Sequence, residues 1–263
     1  MPAVSIVTTP VEHELRRAAD LIASSKYFVA FTGAGISTPS GIPDFRSAGT
    51  GLWQRDDPMK VASATAFRQS PRNFYNWLRP LLRVSYSAHA NDAHLALATL
   101  EKAGKLQAVI TQNIDELHQK AGSVNVVELH GSIHRFYCPA NKEHGVDFAA
   151  VVTSILSGEI PLCATCGTVL RPDITLYEEE LAADDWLKAE NEIALADLLL
   201  VAGSSLEVTP AALLPFKACR NGCKIILVNH SATSIDPYAE LVMRSDVAEC
   251  IPAMVALLNQ RCG

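Results

Sequence analysis

Thr111-Gln112-Asn113-Ile114-Asp115-Glu116-Leu117-His118 directly follows an apolar run, Leu106 to Ile110. The run has the length and composition of a buried strand. Polar side chains crowded at the end of such a strand are costly to bury unless something partners them. In an open α/β sheet that something is a ligand, held in the crevice outside the carboxyl ends of the strands. Other strands should share this edge, and the chain supplies them. Tyr27 to Phe31 runs into Thr32-Gly33-Ala34-Gly35, and Val126 to Leu129 runs into His130-Gly131. Leu198 to Ala202 runs into Gly203-Ser204-Ser205, and Ile225 to Val228 runs into Asn229. Apolar strands, each finished by glycine or a hydrogen-bonding residue, imply one shared polar ligand site.

Helical stretches alternate with these strands, at about 91–103, 113–121, 182–196 and 210–221. That alternation predicts an α/β fold built on a doubly wound parallel sheet. A first helix is expected from Thr9 as N-cap, with Pro10 at its first position and Glu12 closing a capping box. Leu15, Ala18, Ala19 and Ile22 then fall on one face. Residues 45–85, rich in aromatics, and 135–177, with cysteines, prolines and glycines, break the alternation. They read as inserts forming a smaller lobe over the carboxyl edge.

The 263 residues, 49% of them hydrophobic, are enough for one large domain with a small insert. A net charge of −6 gives no nucleic-acid footprint. No run approaches the length of a membrane span, and Met1 to Pro10 lacks the character of a signal peptide. Seven cysteines, an odd number in a chain this long, argue against a disulfide framework. The expectation is a cytoplasmic protein with no membrane or nucleic-acid partner. The oligomeric state is not legible.

Gly33-Ala34-Gly35-Ile36-Ser37 after a strand fits a phosphate cradle, because glycine permits a tight turn and close backbone approach to an anion. Thr38 stands where a third glycine would complete the dinucleotide fingerprint, so a plain strand-to-loop turn is the competing reading. Asn229 is either a ribose ligand or a turn former. His130 at a strand end is either a general base near neutral pH or a satisfied structural histidine. Its company of ligand-type strand ends favours the base.

Taken in order, Gly33-Ala34-Gly35-Ile36-Ser37, Gly41-Ile42-Pro43-Asp44-Phe45-Arg46-Ser47, Thr111-Gln112-Asn113-Ile114-Asp115, His130-Gly131, Gly203-Ser204-Ser205-Leu206 and Asn229 resemble the signature of the sirtuins. These are NAD-dependent protein lysine deacylases. The resemblance covers nearly the whole chain. It implies a single catalytic unit. A Rossmann-like large domain (about 1–44, 86–134 and 178–263) would join a small lobe (about 45–85 and 135–177) with a zinc-ribbon-like part and a helical part. NAD, a co-substrate, and an acyl-lysine protein or peptide would share the cleft between them.

The resemblance also implies a mechanism. The acyl oxygen attacks C1′ of the nicotinamide ribose, and nicotinamide leaves. His130 is the general base on the ribose hydroxyl that attacks the resulting alkylimidate. Asn113 positions ribose and water, and Asp115 with the backbone of Ile114 holds the carboxamide. Gly33, Ala34, Gly35, Gln112, Gly203, Ser204, Ser205 and Asn229 bind the rest of the nucleotide. Asp44 and Arg46 lie nearby, and Phe45 shields C1′ from water. An NAD glycohydrolase or mono-ADP-ribosyltransferase, and a non-catalytic NAD- or ADP-ribose-binding module, are the competing functions.

The chain departs from the sirtuin pattern in three places. Two Cys-x-x-Cys pairs are usual. Here Cys163 and Cys166 keep one pair, but Cys138-Pro139-Ala140-Asn141 ends in asparagine, a poor zinc ligand. His144 is expected as the fourth ligand of a structural Cys3His zinc site, and a metal-free lobe held by packing is the alternative. Cys219 and Cys223 are expected on one helix, and with Cys250 and Cys262 they should have no metal role. Glu178 replaces a common glycine on the peptide-pairing strand, where the Glu178-Glu179 pair either favours basic peptides or is a solvated edge. Finally, Tyr75-Asn76-Trp77-Leu78 has leucine where succinyl-lysine-preferring sirtuins have arginine, which favours neutral acyl groups.

Overall fold

The computed structural model of the protein describes residues 11–46, 49 and 51–260. Thr9, Pro10, Ser47 and Cys262 lie outside them. Among the described residues the strands are β1 (Phe28–Thr32), β2 (Leu106–Thr111), β3 (Val126–Glu128), β4 (Gly131–Tyr137), β5 (Arg171–Ile174), β6 (Leu198–Ala202), β7 (Lys224–Val228) and β8 (Leu241–Met243). Six of them form one sheet in the order β3-β2-β1-β6-β7-β8, every neighbouring pair parallel. A parallel sheet is covered on both faces, so its strands must be apolar throughout. Every residue of β1 and β6 is buried.

Alternation along β1 divides the core. Phe28 and Ala30 join a cluster built with α1 (Glu12–Ser24), α5 (Asp92–Lys102) and α10 (Val247–Asn259). Val29 and Phe31 join the opposite cluster, with α8 (Ala183–Leu195) and α9 (Leu214–Arg220). Helix α1 buries Leu15, Ala18, Ala19 and Ile22, one face at helical spacing. The helix begins at Glu12 with Val11 as N-cap and no side-chain cap bond there, while Thr9 and Pro10 of the expected capping box lie outside the described residues. From β1 the chain moves outward through β2 to β3 and later returns to β6, on the other side of β1. The order of strands therefore reverses between β1 and β6, where a doubly wound sheet opens its crevice.

A third cluster lies in the inserts. After the short α2 (Pro58–Val61), it combines α3 (Ala64–Gln69), α4 (Pro71–Ser87), α7 (Phe148–Leu156) and the antiparallel pair β4–β5, with Phe74, Tyr75, Leu78 and Ile133 fully enclosed. The helix expected over 113–121 is shorter than that: α6 spans Leu117–Ala121. Residues 112–116 stay irregular because side chains capture their amides. Asn113 N donates to Thr111 Oγ1 at 3.0 Å, and Leu117 N to Asp115 Oδ1 at 2.9 Å. Helix α9 ends at Arg220, so Cys219 is helical and Cys223 lies beyond it. Among the described residues no helix is long and apolar enough to cross a membrane.

Candidate active site

The carboxyl edge of the sheet opens into a cleft of about 480 Å³. It is lined by Gly33, Ala34 and Gly35 after β1, Gln112, Asn113 and Ile114 after β2, and His130 after β3. Gly203, Ser204 and Ser205 after β6 and Asn229 after β7 complete the strand ends, and Asp44, Phe45 and Arg46 arrive from the first insert. Asp115 is not among the lining residues. It is 5% exposed and sits one layer behind.

The turns after β1 and β6 touch through backbone alone. Gly35 N donates to Gly203 O at 2.8 Å. A Cβ on Gly35 would lie 2.8 Å from Gly203 Cα, and one on Gly203 would lie 2.3 Å from Ile36 N. Gly203 also has φ of +60°, in the left-handed region. Side chains at these two positions would force the two turns apart, so the glycines let the turns pack into a backbone cradle of the kind that suits an anion. Gln112 crosses the same crevice, donating from Nε2 to Ser204 Oγ at 2.8 Å.

Beside the cradle runs a chain of buried polar groups. Asn113 Nδ2 donates to Ser37 Oγ at 3.0 Å, and Ser37 Oγ donates to Asp115 Oδ2 at 2.7 Å. Burial pushes the Asp115 carboxyl up, against the hydrogen bonds from Leu117 N and Ser37. Ser37, 1% exposed, is a site residue the strand-end reading did not single out. A further layer lies below. Thr32 Oγ1 is 2.9 Å from both Thr111 Oγ1 and His118 Nε2, and the His94 ring packs 4.8 Å from that of His118. Burial pushes both imidazoles down, His94 to about 4, so this layer is uncharged near neutral pH.

His130 Nδ1 lies 2.8 Å from the carbonyl oxygen of Gln112. A carbonyl only accepts, so Nδ1 carries the proton and Nε2 keeps the basic lone pair. Burial pushes the imidazole pKa down. The Gln112 hydrogen bond opposes this, and the Arg46 charge adds to it. The site thus presents a neutral base in the same cleft as the anion cradle.

The insert adds an aromatic wall. Trp53 stacks on Phe45 at 5.1 Å and on Trp77 at 5.7 Å, and meets Tyr177 edge-on at 6.0 Å. All four line the cleft. Arg46 Nε pairs with Glu207 Oε2 at 2.9 Å, tying the insert to the loop after β6. Leu78 is fully buried in the third cluster and does not reach the cleft; its neighbour Trp77 does. The acidic pair is largely engaged. Glu179 is bound to Arg171, and Glu178 Oε2 accepts from Thr65 N, at the start of α3, at 2.9 Å. Glu178 has φ of +74°, a conformation glycine adopts freely and other residues at a cost of roughly 1–2 kcal/mol.

Away from the cleft, Cys138, His144, Cys163 and Cys166 converge, with one ligand atom from each within 4.8 Å of the others. Cys138 Sγ is 3.5 Å from Cys166 Sγ, and Cys163 Sγ is 3.4 Å from His144 Nδ1. A tetrahedral zinc with bonds near 2.3 Å to sulfur sets ligand separations of about 3.8 Å, so the cluster fits a structural zinc site. Asn141 is no ligand but shapes the turn. Its carbonyl accepts from His144 N at 3.2 Å and its Oδ1 from Glu143 N at 2.9 Å. Cys219, Cys223 and Cys250 are free thiols outside the cluster.

Comparison with known proteins agrees with this geometry. Residues 33–210 match the model of the Sir2 family. The chain is 42% identical to the NAD-dependent protein deacylase 2 of Archaeoglobus fulgidus, covering 93% of this chain and 96% of that protein. A Sir2 structure with a p53 peptide and NAD+ superposes with a TM-score of 0.85 at 37% identity, covering 95% of this chain and 99% of that one. Another, with deacetylated p53 peptide and 3′-O-acetyl ADP ribose, gives a TM-score of 0.87 at 38% identity, covering 92% and 97%. The glycine turns, the strand-end histidine, the cysteine–histidine cluster and these matches lead to one conclusion: the chain belongs to the Sir2 family.

Proposed function

We propose that this protein is an NAD-dependent protein lysine deacylase, acting first of all as a deacetylase. It moves the acyl group of a lysine side chain onto the ADP-ribose part of NAD and releases nicotinamide and free lysine. The observation that carries this reading is His130, whose Nε2 is free in the cleft that also holds the glycine cradle. Binding alone would need no base there. We assign the large lobe to about 1–44, 86–134 and 178–263 and the small lobe to about 45–85 and 135–177, the division the sirtuin resemblance implies. The cytoplasm, a reducing setting, keeps the cluster thiols available for zinc.

In this reading Gly33, Ala34, Gly35, Gly203, Ser204 and Ser205 hold the diphosphate side, with Gln112 locking Ser204 in place. Asn229 serves the adenosine ribose. Asn113 orients the nicotinamide ribose, and Asp115 with Ile114 holds the carboxamide. Asp44, Phe45 and Arg46 close over the nucleotide and keep water from C1′. These residues act by positioning, and His130 moves the proton. Nicotinamide release with and without an acetyl-lysine peptide tests the function. A deacylase needs the peptide, whereas an NAD glycohydrolase releases nicotinamide without it.

Two expected results follow from the cleft and the row of polar groups behind it. Asp115→Asn should weaken inhibition by free nicotinamide by about tenfold, since it loses a charged acceptor in a buried chain. Inhibition curves for the two proteins check this, and superimposable curves would remove Asp115 from the carboxamide site. Arg46 is already paired with Glu207, and Glu178 adds a carboxylate to the lining. A succinyl group would therefore be buried without a counter-ion. Acetyl-lysine peptide should exceed succinyl-lysine peptide of the same sequence by about tenfold or more in kcat/KM. The opposite order would mean that a cation reaches the acyl end.

A further inference from the structure

We propose that Arg135 is a positioning residue for this reaction, holding the segment that carries His130 against the loop after β2 and against β5. The proposal rests on the deacylase reading above. Arg135 lies on β4 and is not among the residues lining the cleft. Its guanidinium reaches three carboxylates from three different segments. Nη1 is 2.7 Å from Glu128 Oε2 and 3.2 Å from Glu116 Oε1, and Nε is 3.1 Å from Asp173 Oδ2.

Each of those carboxylates is adjacent to the site. Glu128 ends β3, two residues before His130. Glu116 follows Asp115 directly and has φ of +58°, a conformation that needs an external hold. Asp173 lies on β5, where its carbonyl packs against Gly131; a Cβ there would be 2.0 Å away. The β4 side closes the same ring, since Ser132 Oγ donates to Glu116 Oε1 at 2.5 Å. Thr175 N donates to the carbonyl of His130 at 2.9 Å. The backbone on both sides of His130 is thus held by neighbours on three segments, and each of those segments sends a carboxylate to one guanidinium. A planar fork serves these acceptors from two separate nitrogens in fixed directions, whereas an ammonium offers its three donors from a single nitrogen on a flexible stem.

Removing the guanidinium would not loosen all three segments equally. Glu116 keeps Ser132, and Asp115 keeps Ser37 and Leu117 N. Glu128, with its side chain 11% exposed, loses the cation that balances it. A charge left unpaired in such a place forces local rearrangement. The His130 segment should therefore shift most, and the nicotinamide side least.

The chemistry separates these two regions. Exchange of free nicotinamide into NAD, with acyl peptide present, uses only the step at C1′ and its reversal. Deacylation also needs His130. The deciding quantity is the ratio of deacylation to nicotinamide exchange, measured with labelled nicotinamide for the parent protein, Arg135→Met and Arg135→Lys. In Arg135→Met, deacylation should fall by about tenfold to a hundredfold, as for a misplaced catalytic group, and exchange by less than about threefold. Arg135→Lys, which keeps one charge and loses the fork, should lie between, its ratio lowered by roughly threefold or more. That variant carries the test if Arg135→Met does not fold. A ratio unchanged or raised in the variants would overturn the proposal, because a purely structural role lowers both activities together. If the parent itself releases no nicotinamide in the presence of acetyl-lysine peptide, the functional reading fails instead.

Discussion

His130→Ala should reduce deacylation by roughly 10²- to 10⁴-fold, the range for losing a positioned general base, while NAD affinity stays within about tenfold. The two effects separate because His130 contributes a lone pair, and the glycine cradle is built from other strand ends. The Nδ1–Gln112 carbonyl contact fixes the tautomer. Nicotinamide exchange should survive better than deacylation, because exchange ends before the base is needed. Steady-state turnover with acetyl-lysine peptide, beside a binding titration with NAD, gives both numbers. Turnover within tenfold of the parent would sink the assignment.

The same residue sets an expectation for pH. Burial lowers the His130 pKa in the folded protein, so the neutral, proton-accepting form persists to lower pH than for a free histidine. The base is lost only as pH falls through that lowered value. The acid limb of kcat/KM in the free enzyme should therefore lie below about 6.5, the unperturbed histidine value. An acid limb above that value would show that another group limits the rate.

The sequence made the sheet and its edge legible for one physical reason. Parallel strands buried on both faces read as unbroken apolar runs, and their ends stand out where polarity returns abruptly. Gly33, Gln112-Asn113, His130, Gly203-Ser204 and Asn229 all sit at such ends, and the structure brings them to one cleft. β8 was not legible, since three residues, Leu241–Met243, carry no detectable period. Nor was the layering behind the edge. Asp115 belongs to a second row because Ser37 stands between it and Asn113, a contact across 76 residues or more of chain. The aromatic wall was visible only as composition. That Trp53 and Trp77 stack in the cleft, while Tyr75 and Leu78 turn into the lobe core, depends on how α4 packs. Glu178 shows a different limit. Its departure from glycine was plain, but its left-handed backbone and its bond to Thr65 N were not.

Removing the metal should have the other large effect, on stability rather than chemistry. Cys138 and His144 follow β4, and Cys163 and Cys166 precede β5, so the cluster ties together two segments of the same lobe. His144 hangs on the Asn141 turn, and Cys166 lies on an exposed knuckle closed by Gly167 N donating to Cys163 O at 2.8 Å. Zinc bound by such a set contributes its binding free energy to folding, on the order of 10–16 kcal/mol in small zinc-finger peptides near neutral pH. Chelation should therefore loosen the lobe made by β4, β5 and α7. Deacylation should then fall indirectly, because β4 begins at the residue after His130 and Ile174 of β5 lines the cleft. Cys163→Ser should reproduce the loss, and His144→Ala should do so more weakly, since three thiolates remain. Elemental analysis of protein purified without chelator should find about one equivalent of zinc, and thermal unfolding with and without chelator should show the shift. Fully active protein with less than about one-tenth of an equivalent would mean that packing alone holds the lobe. The four ligand atoms would then be a metal-free hydrogen-bonded cluster, and His144→Ala would leave the unfolding temperature unchanged.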